Sequence, residues 1–394
     1  MHRLLLFAAV AAFGASPQIP DILKQLSAIT GLEIRKPVVQ HTMQRNELKA
    51  YFEKRIKEVT KPEEIRLEEL ALKKLGFVPP EYDLKQSTIE LMAEQAAAFY
   101  DYRAKKMVLL ADGGGLSEEM ALVHELSHAL ADQHFRLEKF LEKAAGSDDG
   151  SLARMAVMEG QATWIMSEFV ARRTGQSLKD SDSTVEMMAN MASSGGSGFP
   201  VFEKAPLYMR ESLVFPYSQG MRFQHQIIRE LGQQAFTEVF RQAPETTQEI
   251  LHPEIYLERR KSASARPTNP DLPALPKPKS WKRITDGTSG EFDHQIWLKQ
   301  YDKENQSLAA SWRGGFYALW ERKSDKRVAL AYASRWDSEE SAQRFFQSYR
   351  KVLEGKSRDF VVETAATNQL KGTNSDGRFV VELDRDRVTA IEGL

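Results

Sequence analysis

The chain has 394 residues and a formal net charge of −1, from 54 basic and 55 acidic side chains. This balance gives no indication of nucleic acid or an anionic membrane surface as a ligand, because both attract strongly basic proteins. The absence of cysteine from the sequence excludes disulfides and thiolate zinc sites, so His, Asp or Glu must hold any metal. The length predicts two domains.

The N-terminus has the pattern of a secretory signal peptide. A basic start, Met1–Arg3, precedes the apolar run Leu4–Phe13 and a group of small residues that ends at Ser16. The run is too short to cross a bilayer, which requires roughly 20 apolar residues. The pattern therefore predicts a signal peptide at 1–16 and a secreted or periplasmic mature chain without a membrane span. An uncleaved N-terminal anchor is the alternative interpretation.

Periodicity predicts a mainly helical first part. Apolar residues recur at helical spacing, and helices are expected over 47–57, 63–75, 84–99, 152–173 and 219–231. The aromatic and aliphatic stretch 98–110 predicts a hairpin or edge strand instead. The turn with three glycines at 112–115 ends this hairpin, and Ser117 is expected to cap the next helix.

A proline-rich segment separates this part of the chain from the rest. The range 262–280 contains five prolines, which neither pair in a sheet nor continue a helix, so we expect an extended linker. A flexible loop is expected at 193–198, inside the first domain. The sequence thus predicts one domain at 17–261, the linker, and a second domain at 281–394.

The C-terminal residues predict a small α+β domain whose role the sequence does not indicate. Strands are expected over 316–321, 327–334, 359–364, 378–384 and 387–392. Asp337 is expected to cap a helix, with Glu340 completing a capping box. The apolar face of this helix predicts that it packs on the sheet.

The most informative motif lies in the predicted helix after the hairpin, where residues 124–128 read H-E-L-S-H. Residues four apart on a helix differ by about 40° in rotation, so His124 and His128 leave the same face. Two imidazoles placed in this way can hold one Zn²⁺, and Glu125 remains free to act on the metal-bound water. The motif therefore predicts a catalytic zinc site.

Catalytic zinc keeps three protein ligands and one open position, and the sequence offers two candidates for the third ligand. His134 extends the motif to H-E-x-x-H-x-x-A-x-x-H, a spacing that resembles the metzincins, in which a glycine ends the helix. The corresponding residue here is Ala131. On an unbroken helix, six residues rotate by roughly 240°, which would turn His134 away from the metal.

Glu159 is the second candidate for the third ligand. It follows Met158 in an apolar stretch of a predicted helix. Burial of an unpaired carboxylate costs several kcal/mol, so this side chain is expected to meet a cation or a metal. Gly160 would let its helix approach the motif helix closely. The alternative is a solvated residue on the outer face of the helix.

Other residues have candidate roles in catalysis. Glu125 is the expected general base, which would take a proton from the water and pass it to the leaving amine. Tyr217 is the candidate donor to the oxyanion, with His225 as its alternative, although a tyrosine in such an aromatic, proline-containing stretch more often packs in a core or a turn. Asp132, one turn beyond His128, is expected either to orient a histidine or to be a surface acid.

These residues resemble a family of exported bacterial and archaeal H-E-x-x-H proteins. The resemblance rests on the segments 123–135, 158–163, 215–220 and 246–256, with 336–339 in the C-terminal domain. It implies a gluzincin-like zincin core, and it favours Glu159 over His134 because gluzincins take the third ligand from a downstream helix. In zincins an edge strand before the motif helix binds extended peptide, so 100–110 would do so here unless it is a structural hairpin. His252 would bind substrate, brace the site, or simply satisfy a turn.

The sequence therefore predicts an α+β protein that is a secreted zinc metallopeptidase acting on a peptide or protein substrate. A non-catalytic, zinc-stabilised binding protein of the cell exterior is the alternative, with the C-terminal domain as its working part. The intact Glu125 favours the enzyme, because a purely structural zinc site does not need it. A zinc hydrolase for another amide, such as a cell-wall peptide, is a third interpretation.

Overall fold

The computed structural model of the protein describes the residues 19–96, 98–111, 116–194, 198–262 and 268–394. Four expected features fall outside these ranges, in whole or in part: the signal peptide at 1–16, the glycines of 112–115, the centre of the 193–198 loop and residues 263–267 of the linker. No helix among the described residues is long and apolar enough to cross a membrane.

The first part of the chain is helical, as its periodicity predicted. Its helices are α1 (Ile19–Thr30), α2 (Leu48–Val59), α3 (Pro62–Leu75), α4 (Leu84–Gln95), α5 (Leu116–Phe135), α6 (Leu137–Glu142), α7 (Asp148–Arg172), α8 (Asp182–Ser194), α9 (Pro200–Lys204), α10 (Leu207–Leu231), α11 (Ala235–Arg241), α12 (Thr247–Leu251) and α13 (Pro253–Lys261). Local signals explain several ends. Ser147 caps α7 by accepting from the amide of Gly150, and Gly76 ends α3 in the left-handed conformation.

Helix α10 differs from its prediction, because it begins at Leu207 and not near residue 219. Pro216 lies inside it, where a proline removes one main-chain hydrogen bond and normally breaks a helix. The helix continues because its apolar face is buried against the rest of the protein, and Phe215, Pro216 and Met221 are themselves buried. Tertiary packing thus outweighs the local signal.

A small sheet lies beside the motif helix α5. In the described part of the chain it contains β1 (Val39–Met43), β2 (Ala98–Asp101) and β3 (Lys106–Leu110), in the order β1-β3-β2. β2 and β3 form the predicted antiparallel hairpin, with Tyr100 opposite Met107. β1 pairs parallel to β3. It was not predicted, since its sequence is largely polar and exposed.

The C-terminal residues form a larger antiparallel sheet in the order β4-β5-β6-β10-β9-β8-β7, counting only the described strands. The elements are β4 (Trp281–Thr288), α14 (Glu291–Tyr301), β5 (Trp312–Arg322), β6 (Val328–Trp336), α15 (Glu339–Lys356), β7 (Val361–Ala365), β8 (Gln369–Asn374), β9 (Gly377–Asp384) and β10 (Arg387–Glu392). The apolar face of α15 contributes Phe345 and Tyr349 to the core, as expected. Its cap is Ser338, which accepts from the amide of Ser341. The prediction of Asp337 as the cap was wrong.

The described part of the proline-rich linker packs on the sheet. Leu275 is buried with Trp281 and Ile391 on one sheet face, and the indole of Trp281 donates to the carbonyl of Pro276. At Gly314, a Cβ atom would overlap the Thr268 carbonyl, so only glycine admits the linker there. The linker is extended, as predicted, but it is not a free tether.

Buried hydrogen bonds join the helical part to the C-terminal part. The indole Nε1 of Trp297 donates to the Leu75 carbonyl over 2.7 Å. Thr247 donates its hydroxyl to Asp149 at the start of α7 and accepts from the amide of Phe292. Because unpaired buried polar groups are costly, these bonds hold the two parts in a fixed arrangement. The overall class is α+β, with a helical N-terminal part and an antiparallel C-terminal sheet.

Candidate metal centre

Helix α5 presents the two motif histidines to one buried point. The helix is continuous from Leu116 to Phe135, as expected for a segment without a breaker at Ala131. His124 and His128 are both buried, and their Nε2 atoms lie 3.1 Å apart. The four-residue spacing therefore places both ring nitrogens at the same point.

Glu159 of α7 completes the group. Its Oε2 atom lies 3.0 Å from Nε2 of His124 and 3.3 Å from Nε2 of His128. Burial opposes a charge on this carboxyl, but His128 and His124 outweigh that effect and hold the pKa of Glu159 below its usual range. The side chain is therefore an anion buried among nitrogen ligands.

The three atoms have the geometry of a metal site. Donors bound at about 2.0–2.2 Å to one ion with tetrahedral angles lie about 3.3 Å apart or slightly more. The observed separations of 3.0, 3.1 and 3.3 Å are close to that value. Hydrogen bonds explain the triangle less well, since each neutral imidazole has one proton to donate. This buried group can hold a metal ion.

A close crossing of α7 and α10 sets the position of Glu159. Gly160 lies directly against Gly220 of α10, so that a Cβ atom on either glycine would overlap the other helix's backbone. We expected Gly160 to bring α7 close to the motif helix α5, but its close approach is to α10. The crossing also brings the ring of Tyr217 of α10 against His124.

Replacement of Gly160 by alanine is expected to push α7 and α10 apart. Relief of the overlap should cost about 1–3 kcal/mol of folding free energy, and Glu159 should move with its helix, which weakens metal binding. Urea unfolding and calorimetric metal titration measure the two effects. Gly146→Ala is the matched control, because a Cβ atom there meets nothing within 4 Å. Equal losses in both variants would contradict the role of the crossing.

Glu125 lies beside the ligands and contacts the small sheet. It is buried, and its Oε2 accepts a hydrogen bond of 2.8 Å from the backbone amide of Tyr100 in β2. Burial raises the pKa of Glu125 to about 8, and the nearby Glu159 adds to the rise, while His124 and the Tyr100 amide oppose it. A cation bound at the centre would favour the ionised form and lower this pKa. In the absence of a bound cation, the group can therefore accept or release a proton near neutral pH.

Tyr217 lies against the centre, as its candidate role requires. Its ring stacks on the ring of His124, with centroids 5.9 Å apart and planes inclined by 27°. It is half-buried in the middle of α10 and does not form a turn. Its alternative, His225, lies about two turns further along this helix. His225 binds the Trp164 indole and Asp182 there, so the structure does not bring it to the centre.

The structure separates the remaining candidates from the centre. His134 is on the exposed flank of α5, where its Nε2 lies 2.8 Å from the carbonyl of Glu33. His252 contacts Glu291 of α14, 2.9 Å away, and so joins the helical part to the C-terminal part. The hydrogen bond to Glu291 is the main reason why the pKa of His252 is raised. His252 braces the fold rather than the metal centre.

Asp132 does not have the role expected for it. It is buried, and its carboxylate binds Tyr100 and Lys105 of the hairpin rather than a motif histidine. The sequence analysis did not predict that Tyr100 and Lys105 would bind Asp132. A local signal did exist, since the hairpin directly precedes the motif helix, but sequence does not give the angle between them.

Comparison with known proteins covers the C-terminal part of the chain. A family described as a domain of unknown function, DUF8575, matches residues 279–394. No curated protein and no solved structure gives a match. The matched range contains the large sheet with α14 and α15, whereas the metal centre lies in the helical part before it.

Proposed function

We propose that this protein is an exported zinc-dependent metallopeptidase that hydrolyses peptide bonds, with a gluzincin-like arrangement of its site. The observation that carries the proposal is the buried triangle of His124, His128 and Glu159. The carboxyl of Glu125, which is also buried, follows His124 on α5. A site that only stabilised the fold would need the triangle alone. The additional buried carboxylate of Glu125 favours catalysis.

The donor set favours zinc over other ions. Two imidazoles and one carboxylate are the ligands of a common class of catalytic zinc site, in which a fourth position stays open for water or substrate. Magnesium and calcium prefer oxygen donors and would be poorly served by two ring nitrogens. The absence of cysteine from the sequence excludes the thiolate sites in which zinc is often purely structural.

The residues around the centre have distinct roles in this proposal. Zinc, when bound, polarises the scissile carbonyl and makes water more acidic. Glu125 takes the proton of the attacking water and delivers it to the leaving amine nitrogen. Tyr217, whose ring lies on His124, donates a hydrogen bond from its hydroxyl to the oxyanion as the carbonyl becomes tetrahedral. Histidine ligands on one helix and Glu159 on another keep the site rigid.

We propose that an extended substrate binds beside the small sheet. Among the described strands, β2 lies at an edge of that sheet, and the Tyr100 amide points away from β3 toward Glu125. The outer edge of β2 therefore faces Glu125 beside the metal centre, and its Tyr100 amide is bonded to that carboxylate. We therefore propose a peptide or protein substrate that binds in an extended form next to β2, with its backbone beside Glu125.

Metal removal tests the proposal. The purified protein is expected to contain about one zinc per chain, to hydrolyse a mixture of internally quenched peptides, and to lose this activity after dialysis against a chelator. Stoichiometric zinc should restore it, whereas magnesium should not. Bound zinc without hydrolysis of any peptide in the mixture would instead favour the zinc-stabilised binding protein. A protein that is purified fully folded without zinc, and that does not bind added zinc, would refute both the peptidase and the binding-protein proposals.

A further inference from the structure

Asp132 is a buried carboxylate whose two oxygens are both fully engaged. Oδ2 accepts from the Tyr100 hydroxyl over 2.9 Å and from Nζ of Lys105 over 2.7 Å. Oδ1 accepts from Lys105 and from the amide of Leu137, which begins α6. The carboxylate is almost inaccessible, yet the lysine is half exposed. The Asp132 side chain thus joins β2, the hairpin turn and α6 to α5.

Tyr100 is attached to α5 at two points. Its backbone amide donates to Glu125, and its hydroxyl donates to Asp132. Glu125 and Asp132 are seven residues apart, so they lie on the same face of the helix, about two turns from each other. Tyr100 of β2 therefore binds both Glu125, the proposed general base, and Asp132.

The hairpin turn is held so that Lys105 can reach Asp132. Asp101 accepts from the amides of Arg103 and Ala104, which closes the turn, and it also binds the Tyr51 hydroxyl. Lys105 adopts a φ of 57°, in the left-handed region that side chains rarely occupy. Such a conformation persists where surrounding contacts impose it. The bond from Lys105 to Asp132 is one such contact.

We propose that Asp132, Tyr100 and Lys105 form a clasp that positions the Glu125 carboxylate. The clasp fixes the distance between β2 and α5, and the Tyr100 amide then orients Glu125 toward the ligands. These three are positioning residues that act through Glu125. The catalytic consequence rests on the proposed function, while the orientation of Glu125 does not.

A matched ion pair elsewhere separates positioning from general stabilisation. Lys351 binds Asp302 over 2.7 Å, with side chains 46% and 2% exposed, against 51% and 3% for Lys105 and Asp132. Asp302 also accepts from the hydroxyl of Ser348. Both pairs therefore join a half-exposed lysine to a buried aspartate with a second hydroxyl donor. Of the two pairs, only the pair of Lys105 and Asp132 contacts Tyr100, whose amide donates to Glu125.

The amide of residue 100 provides a readout that is independent of activity. We would record spectra of protein labelled with [¹⁵N]tyrosine, in which Tyr100 is assigned by the peak lost in Tyr100→Phe. In Lys105→Gln, the peak is expected to move toward its position in Glu125→Ala, which has no side-chain acceptor for this amide, and its hydrogen exchange should accelerate about tenfold. Lys351→Gln should leave the peak and its exchange unchanged. Lys105 is half exposed, so its variant is expected to fold.

Tyr100→Phe removes the bond to Asp132 but retains the backbone amide. With [¹⁵N]phenylalanine, the new peak at residue 100 should likewise show loss of the bond to Glu125. On quenched peptides, kcat is expected to fall about 10- to 100-fold with KM and zinc content nearly unchanged. An unchanged amide in both Lys105→Gln and Tyr100→Phe would overturn the clasp, as would an equal effect of Lys351→Gln. An inactive wild-type protein would remove only the catalytic consequence, because the amide still reports on Glu125.

Discussion

Glu125→Gln is expected to lower peptide hydrolysis by about 10²- to 10⁴-fold while the protein keeps its zinc. The amide has the shape of the carboxylate and still accepts from the Tyr100 amide, but it cannot take a proton from water. The ligands His124, His128 and Glu159 are unaltered, so the metal should remain. Initial rates on quenched peptides and metal analysis of the same preparation measure the two quantities.

The same variant should be at least as stable as the wild-type protein in the absence of metal. Burial raises the pKa of Glu125 to about 8, above the ordinary value, so the folded state favours its protonated form. Its contribution to stability is therefore complete below about pH 4 and is lost as the pH rises to about 8. A neutral glutamine removes this loss, so the difference in urea midpoint between variant and wild type should increase with pH.

A second acid on the same helix provides the control for hydrolysis. Glu119 forms an ion pair with Arg173 near the start of α5, so Glu119→Gln should retain both zinc and activity. If Glu125→Gln hydrolysed peptides as fast as Glu119→Gln, Glu125 would not be the base. Another group would then have to take the proton from water, whereas zinc binding without hydrolysis in the wild-type protein and both variants would favour the binding-protein interpretation.

The geometry within single helices was predictable from sequence. The four-residue spacing of His124 and His128 gives their convergence directly. The unbroken helix through Ala131 likewise explains why His134 contacts Glu33 on the flank instead of the centre. In both cases the periodicity of one helix determines where the side chains lie, so no tertiary information was needed.

Contacts between elements were predictable only in part. An acid among apolar neighbours indicated that Glu159 needed a partner, and the structure places the histidines beside it. The same reasoning misidentified the helix that Gly160 approaches, since a glycine permits close packing but does not select the neighbour. Tyr217 lies in a helix that continues through Pro216, against the local signal. Asp132 binds a hairpin residue because of an angle between strand and helix that spacing does not encode.

Glu159→Gln is expected to weaken zinc binding by about 100-fold or more, since loss of a ligand should exceed the 10- to 100-fold effect of losing an outer contact. Glu159 is the one anionic side chain among the three ligands, so the variant leaves a dication with neutral ligands alone. Zinc at 100 times the wild-type Kd should stabilise the wild-type protein by about 2.7 kcal/mol but the variant by only about 0.4 kcal/mol. Thermal unfolding with and without zinc, together with direct metal analysis, measures the difference.

His134→Ala is the control that makes this result decisive, because H-E-x-x-H proteins can take a third histidine six residues after the motif. His134 contacts the Glu33 carbonyl on the protein surface, so its removal should leave zinc content and zinc-dependent stabilisation unchanged. Retention of zinc in Glu159→Gln with its loss in His134→Ala would reverse the ligand assignment, and α5 would then have to break near Ala131 when metal binds. Loss of zinc in Glu159→Gln alone requires α5 and α7 to form the centre together, which makes their fixed arrangement a condition of function.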